Sequence, residues 1–139
     1  MSDWLESRAR VADLVHAYAL HIRQGEPARC AELFTPDGSF EVRTWDPRNA
    51  ATLTTRTRTE GRAAIAGFIG SSTGAVRMFP MIHNLLVTVN GDRAEASSLM
   101  IGRPFPEGSE VIGEYADSFR RVDGRWFFTA RIYTIARAA

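Results

Sequence analysis

Two apolar segments joined by Asp123-Gly124 constrain the fold of this chain more than any other feature of its sequence. An Asp-Gly pair between alternating segments predicts a type I′ β-hairpin, in which both central residues take positive φ. Alternation along the first strand then places one set of side chains on one face: Val111, Gly113, Tyr115, Asp117 and Phe119. A single carboxylate on this apolar face must be paired, protonated or functional, because burying an unpaired charge is costly.

Composition limits the classes of function that the chain can have. With 139 residues, of which 45% are hydrophobic, residues 1–139 can form one domain with a core of its own. A net charge of +1 gives no electrostatic case for nucleic acid or an anionic membrane as a partner. Every one of the 17 basic residues is arginine. The absence of lysine excludes a lysine Schiff base, a lysine-anchored pyridoxal cofactor and a P-loop.

Cysteine use and hydropathy indicate the compartment. Cys30 is the only cysteine, so no internal disulfide can form. The first residues show neither the basic nor the apolar stretch of a secretory signal, and no apolar run approaches the roughly 18 residues that span a bilayer. We expect a soluble, cytoplasmic protein.

The rest of the chain predicts helices first and hairpins afterwards. Helical spacing of apolar residues and strand alternation give helices over 3–24, 27–34 and 61–70, and strands over 39–45, 52–59, 76–89 and 93–103. The hairpin described above completes the chain. This order predicts an α+β fold, in which a strongly curved antiparallel sheet folds over the N-terminal helices.

Three segments together resemble SnoaL-like members of the nuclear-transport-factor-2-like superfamily. They are Tyr18–Asp37 with its Gly25-Glu26 break, Met81–Ala96, and the Gly113-x-Tyr115-x-Asp117 strand followed by Arg121–Trp126 and Arg131. The resemblance implies a cone-shaped α+β barrel with a pocket between sheet and helices, often dimeric through the sheet. Members include isomerases, dehydratases, cyclases, dioxygenase small subunits and non-catalytic binders, so the fold alone does not fix the function.

The resemblance gives Tyr18 and Asp117 candidate roles. Tyr18 lies where ketosteroid-isomerase-like members carry an oxyanion-hole tyrosine, and Asp117 lies where they carry a protonated acid that also donates to the oxyanion. The position of Asp117 on an apolar strand face agrees with this role, because desolvation raises the pKa of a carboxyl group. The alternative is a structural ion pair of Asp117 with Arg103 or Arg131 on a neighbouring strand.

His83 is the predicted acid or base. Strand alternation aligns it with Leu85, Val87 and Val89, so we expect it to face the interior. Scytalone-dehydratase-like members carry a proton-transferring histidine at this place, and the pKa range of histidine suits that role near neutral pH. The alternative is a histidine that is merely packed in the core.

Two carboxylates of the related enzymes are missing. Val42 stands where isomerase-like members carry their general-base aspartate, and Ile22 stands where lyase-like members carry the aspartate that orients the histidine. His21 replaces a pocket tyrosine beside it. For the wall of a pocket that binds the substrate we predict a set of mainly aromatic and apolar residues: Tyr115, Trp45, His21, Phe105 and Met78.

These observations give two functional hypotheses. The first is a cofactor-free acid/base enzyme (isomerase, dehydratase or cyclase) acting on a hydrophobic cyclic small molecule, with His83, Asp117 and Tyr18 as catalytic residues. The second is a non-catalytic binding protein or the small subunit of a dioxygenase-type complex. The histidines have no metal-ligand spacing, so no metal is expected. The expected partners are a small hydrophobic molecule and a second copy of the chain, paired through the sheet.

Overall fold

A computed structural model describes residues 2–73 and 76–137 as three helices packed against one face of a six-stranded sheet. The helices are α1 (Ser2–Gln24), α2 (Pro27–Glu32) and α3 (Arg62–Thr73). The strands are β1 (Phe34–Asp46), β2 (Asn49–Glu60), β3 (Arg77–Asn90), β4 (Arg93–Phe105), β5 (Val111–Val122) and β6 (Arg125–Ala136). The predicted α+β fold is confirmed, and all described helices are too short or too polar to cross a membrane.

The sheet is ordered β2-β1-β6-β5-β4-β3. Its neighbours pair antiparallel except for β1 and β6, which run parallel, so the sheet is mixed at one junction. Helix α1 lies against β3, while α3 lies against β1 and β2. The helices therefore cover one face of the sheet, the inner face, and leave the outer face open.

The hairpin between β5 and β6 has the predicted turn. Asp123 and Gly124 both have positive φ, at 52° and 78°. These values belong to a type I′ turn, whose twist matches that of the paired strands. On β5, Gly113, Tyr115 and Asp117 are buried, as alternation requires. The prediction that Asp117 faces the interior is therefore correct.

Two irregularities change which side chains face inward. In β3 the register with β4 shifts between His83 and Leu86, and Asn84 takes a φ of 53°. In β6 the register with β5 shifts where Thr129 has no partner, between Phe128 and Ala130. Each β-bulge reverses the alternation of the residues that follow it. As a result, Phe128 and Arg131 are both buried although three positions separate them.

Aromatic side chains from the helix and the sheet form the core. The ring of Phe128 lies 5.1 Å from that of Phe34 and 4.7 Å from that of Phe119, measured between centroids. Tyr18 of α1 packs edge-on against Phe34 and Phe128. Each such side chain contributes about 1.5–3 kcal/mol on full burial, so this cluster fixes α1 on the sheet.

Candidate functional site

An apolar cavity of about 470 Å³ opens between the inner face of the sheet and the helices. Helix α1 contributes Tyr18 and Ile22, one turn apart on the same side of the helix, and α3 contributes Phe68 and Ile69. The sheet supplies most of the remaining wall: Phe40, Val42, Met78, Pro80, Met100, Val111, Tyr115, Tyr133 and Ile135. Its size and lining are typical of sites that bind small organic molecules.

Three tyrosines contribute phenol rings and hydroxyls to the wall of the cavity. Tyr133 donates a hydrogen bond from its hydroxyl to the backbone oxygen of Met100 at 3.3 Å. Of the three, only Tyr133 makes such a bond among the described residues, whereas the hydroxyls of Tyr18 and Tyr115 do not. Burial raises the pKa of both phenols, and Arg131 opposes that effect in part. Both are therefore neutral near neutral pH and can donate a hydrogen bond to a bound oxygen atom.

The two positions at which the resemblance implied a missing carboxylate lie in this cavity with apolar side chains. Val42 and Ile22 both line it. The lining does contain one carboxylate among the described residues, that of Glu107, on the loop between β4 and β5. Glu107 is exposed, so it belongs to the mouth of the cavity and not to its floor.

Asp117 forms a fully buried ion pair with Arg131 below the cavity floor. Their strands place the two residues directly opposite each other, and Nε of Arg131 lies 3.0 Å from Oδ1 of Asp117. The guanidinium N–H does not point at the carboxylate, so the contact is an ion pair without an aligned hydrogen bond. Arg103 is instead exposed and pairs with Glu110. Of the two partners considered for Asp117, Arg131 is the one found.

The Arg131 guanidinium lies under the aromatic rings of the cavity floor. Its central carbon is 3.4 Å from the ring centroid of Tyr115, 4.3 Å from that of Tyr18 and 4.8 Å from that of Phe128. Neither Arg131 nor Asp117 is among the lining residues. The two tyrosines therefore separate the buried charges from the space that a ligand would occupy.

Burial raises the pKa of the Asp117 carboxyl to about 6, and the charge of Arg131 offsets only part of this shift. The direction agrees with the expectation from an apolar strand face. The geometry differs from the oxyanion-hole hypothesis, however, because the Asp117 side chain has no exposed surface and points at Arg131. Asp117 can act on a ligand only through its neighbours.

His83 lies on the outer face of the sheet, and the prediction that it faces the interior is wrong. Ile82 and Leu85 are its partly buried neighbours, whereas His83 and Asn84 are both exposed. The cause is the β-bulge at Asn84, which puts two consecutive residues outward and restores inward alternation only from Leu85. The acid/base role of His83 in this cavity is therefore not supported.

Of the five predicted wall residues, two line the cavity and three do not. Tyr115 and Met78 line the cavity. Trp45 does not, because the preceding Thr44 pairs with cavity-lining Ile135 and so places Trp45 on the opposite face.

Phe105 and His21 also lie outside the cavity. Phe105 is 63% exposed and packs its ring against Phe79 on the outer face. His21 is partly buried, and its Nδ1 atom lies 3.9 Å from the Glu26 carboxylate. It directly precedes cavity-lining Ile22 in α1, so it projects about 100° away around the helix.

Sequence reasoning missed two features of the wall. Tyr133 faces inward because the bulge in β6 shifts its alternation, and no turn residue marks that bulge in the sequence. Glu107 lies in a Pro- and Gly-containing loop, where side-chain direction cannot be inferred from a period.

In the described ranges, no group of three or more His, Cys, Asp or Glu side chains could hold a metal ion.

Helices over one face of a curved sheet, with an apolar cavity between them, define the class of α+β pocket proteins. The chain belongs to the SnoaL-like domain family, whose model matches residues 3–132. This confirms the resemblance inferred from the sequence motifs. No curated protein sequence matches the chain significantly.

Solved structures with the same fold include proteins of different descriptions. A protein of unknown function from Mycobacterium tuberculosis is 26% identical with a TM-score of 0.80, covering 99% of this chain and 76% of that one. Two others come from Novosphingobium aromaticivorans. The beta subunit of a provisionally assigned aromatic-ring-hydroxylating dioxygenase is 16% identical with a TM-score of 0.79, covering 97% and 92%. A provisionally named scytalone dehydratase is 22% identical with a TM-score of 0.76, covering 99% and 89%.

Proposed function

We propose that the protein binds a hydrophobic, oxygen-bearing cyclic small molecule in the cavity, with the hydroxyls of Tyr18 and Tyr115 donating to the ligand's oxygen. The observation that carries this proposal is the pair of tyrosines in a mainly apolar wall whose hydroxyls, unlike that of Tyr133, make no hydrogen bond to a described residue. A ligand oxygen would satisfy them, while the rings and aliphatic side chains would bury its carbon skeleton.

A comparison of a bicyclic aromatic ketone with its parent hydrocarbon separates the contribution of the hydrogen bonds from that of apolar burial. We expect α-tetralone to bind more tightly than tetralin, because only the ketone accepts a hydrogen bond from the tyrosines. The variant Tyr18→Phe/Tyr115→Phe should bind tetralin as before and lose the preference for the ketone. The expected loss is about two- to tenfold in the ratio of dissociation constants, since a neutral hydrogen bond contributes about 0.5–1.5 kcal/mol. Ligand-observed NMR measures both constants.

A matched control is Tyr133→Phe, which removes a hydroxyl that is already bonded to the Met100 backbone. It should leave the ketone preference close to that of the wild type. If neither compound binds the wild-type protein, or if both bind equally well, the proposal fails. If a bulky cavity substitution such as Val42→Trp does not weaken binding, the ligand lies elsewhere.

The lining carboxylate favours a second candidate, an enzyme that removes a proton next to a carbonyl group. Glu107 is at the cavity mouth and the tyrosine hydroxyls are on its wall, so a base and two oxygen-binding donors share one cavity. In this function Tyr18 and Tyr115 stabilise the oxygen that gains negative charge, and Glu107 takes the proton. Isomerisation, dehydration and ring closure all begin with that step. No bound cofactor is needed for it.

Deuterium exchange tests proton abstraction without knowledge of the natural substrate. In deuterium oxide, the wild-type protein should accelerate the replacement of hydrogen by deuterium at the carbon next to the carbonyl of α-tetralone, as followed by proton NMR. Glu107→Gln should reduce the acceleration by about 100-fold or more, because general bases typically contribute 10²–10⁴-fold. His83→Ala serves as the control and should have no effect. Binding without any acceleration would leave the protein a non-catalytic binder.

We also propose that the partner of the outer face is a second copy of this chain. Across three adjacent strands, Met81 pairs with Ile101 and Ile101 with Ile112, which gives a continuous apolar row. Leu86 is 67% exposed on the same face. Exposed apolar surface of this extent is typical of an interface, and a twofold axis would place equivalent rows against each other.

A further inference from the structure

Among the described residues, Arg131 is the largest fully buried side chain, and it takes no direct part in the proposed ligand site. A buried arginine is costly unless it is paired, and here one carboxylate is its only charged partner in the described structure. Three aromatic rings lie against its guanidinium, those of Tyr115, Tyr18 and Phe128. This arrangement places a cation directly behind the two groups that are proposed to hold the ligand's oxygen.

The Arg131 guanidinium is in contact with a carboxylate and with the rings of two tyrosines. Asp117 on β5 fixes the guanidinium from one side at 3.0 Å. The ring of Tyr115, on the same strand as Asp117, lies 3.4 Å from the guanidinium carbon, and the ring of Tyr18 reaches it from α1 at 4.3 Å. Arg131 therefore joins a strand and a helix that are far apart in sequence. Any movement of the guanidinium would move the two phenol rings relative to each other.

A cation against an aromatic face also changes the chemistry of a phenol. The positive charge attracts the electrons of the ring, which draws electron density from the hydroxyl oxygen and makes its hydrogen a stronger donor. The low polarity of the surroundings strengthens this effect, since the guanidinium is out of contact with solvent. Asp117 keeps the charge in place.

We propose that Arg131, held by Asp117, is a positioning residue of the ligand site that orients Tyr18 and Tyr115 and strengthens their hydroxyls as hydrogen-bond donors. This inference rests on the proposed function, because it assumes that the two hydroxyls bind a ligand oxygen. It assigns a role in oxygen recognition to a pair of charges that the ligand never touches.

The experiment replaces the pair by apolar side chains. Arg131→Met/Asp117→Leu removes both charges together, so that neither is left buried alone, and such replacements are often neutral or stabilising. We expect the ratio of tetralin to α-tetralone dissociation constants to fall by about two- to threefold, because the two hydroxyls remain but lose part of the contribution that a neutral hydrogen bond makes. The affinity for tetralin should change little. A purely structural role would weaken both compounds together.

Two further variants keep the test decisive. Arg125→Met removes a cation that lies 5.1 Å from the Phe127 ring at the protein surface, and it should leave the ratio unchanged. Arg131→Lys retains the charge opposite Asp117 but lacks the planar group that stacks on the rings. Its ratio should lie between those of the wild type and the double variant, which also covers the case in which the double variant does not fold.

The outcomes separate this inference from the function on which it rests. If Tyr18→Phe/Tyr115→Phe abolishes the ketone preference and both Arg131 variants keep it in full, the positioning role is wrong and the proposed binding site stands. If the wild type shows no ketone preference, the proposed function itself is wrong. A graded loss through Arg131→Lys to the double variant supports both.

Discussion

Asp117 is a residue whose burial the sequence predicted while leaving its partner open. Its apolar strand face was enough to predict burial and a raised pKa, and both agree with the structure. The sequence left open whether it donates to a ligand or pairs with an arginine. The structure resolves this in favour of Arg131, because the carboxylate lies behind the tyrosines and away from the cavity.

The raised pKa of Asp117 predicts a specific dependence of stability on pH. Its pKa is about 6 in the folded protein, above the ordinary value of 3.8, because desolvation outweighs the attraction of Arg131. The folded state therefore binds the proton more tightly than the unfolded state between these pH values. The contribution of this carboxyl to the free energy of unfolding is fully present below about pH 4 and decreases as the pH rises to about 6.

Asp117→Asn provides the comparison, since an amide does not titrate in this range. The free energy of unfolding of the wild type minus that of Asp117→Asn should fall between pH 4 and pH 6, as measured by urea denaturation. The free energy of unfolding of the wild type minus that of Arg131→Met/Asp117→Leu should fall over the same pH interval, because that variant also lacks the carboxyl. A difference that rises with pH would mean that the ion pair outweighs desolvation, contrary to the direction inferred here.

Among the structural elements, the sequence predicted type and order well and local register poorly. Helices, hairpins and the Asp123-Gly124 turn follow from periodicity and turn chemistry, which are properties of neighbouring residues. The parallel pairing of β1 with β6 joins segments at opposite ends of the chain, and no local pattern encodes it. The direction of each strand in the sheet therefore required the structure.

The two β-bulges explain the main errors about the site. Strand alternation predicts which face of the sheet a side chain lies on only while the period of two is unbroken. One extra residue at a bulge moves every following side chain to the opposite face. In β3 this turned His83 outward, and in β6 it turned Arg131 and Tyr133 inward. Asn84 was a recognisable signal, because asparagine tolerates positive φ better than most residues. The Thr129 bulge carries no such mark.

At the scale of the whole molecule, the sheet separates two surfaces for which different roles are proposed. Its inner face and the helices enclose the cavity, and its outer face carries the apolar row of Met81, Ile101 and Ile112. The family resemblance implied a pocket, which the cavity agrees with, and pairing through the sheet, which stays a prediction. Because the two surfaces lie on opposite sides, changes on the outer face can be tested without altering the lining of the cavity.

A charge on the outer face should therefore separate association from ligand binding. We expect the wild type to sediment as a dimer and Leu86→Arg to sediment as a monomer, because an isologous interface over the outer face would bury one added arginine from each copy. Leu86 is 67% exposed, so the substitution costs little in the monomer itself.

The control is Leu5→Arg, at a residue that is 47% exposed on α1, on the other side of the sheet. It should remain dimeric. Sedimentation equilibrium measures the mass of each variant, and α-tetralone binding should survive in both. If the wild type is a monomer at every concentration tested, the outer face does not pair with itself. A wild-type dimer that Leu86→Arg leaves intact would place the interface elsewhere, since a buried pair of arginines about a twofold axis cannot be accommodated at an apolar contact.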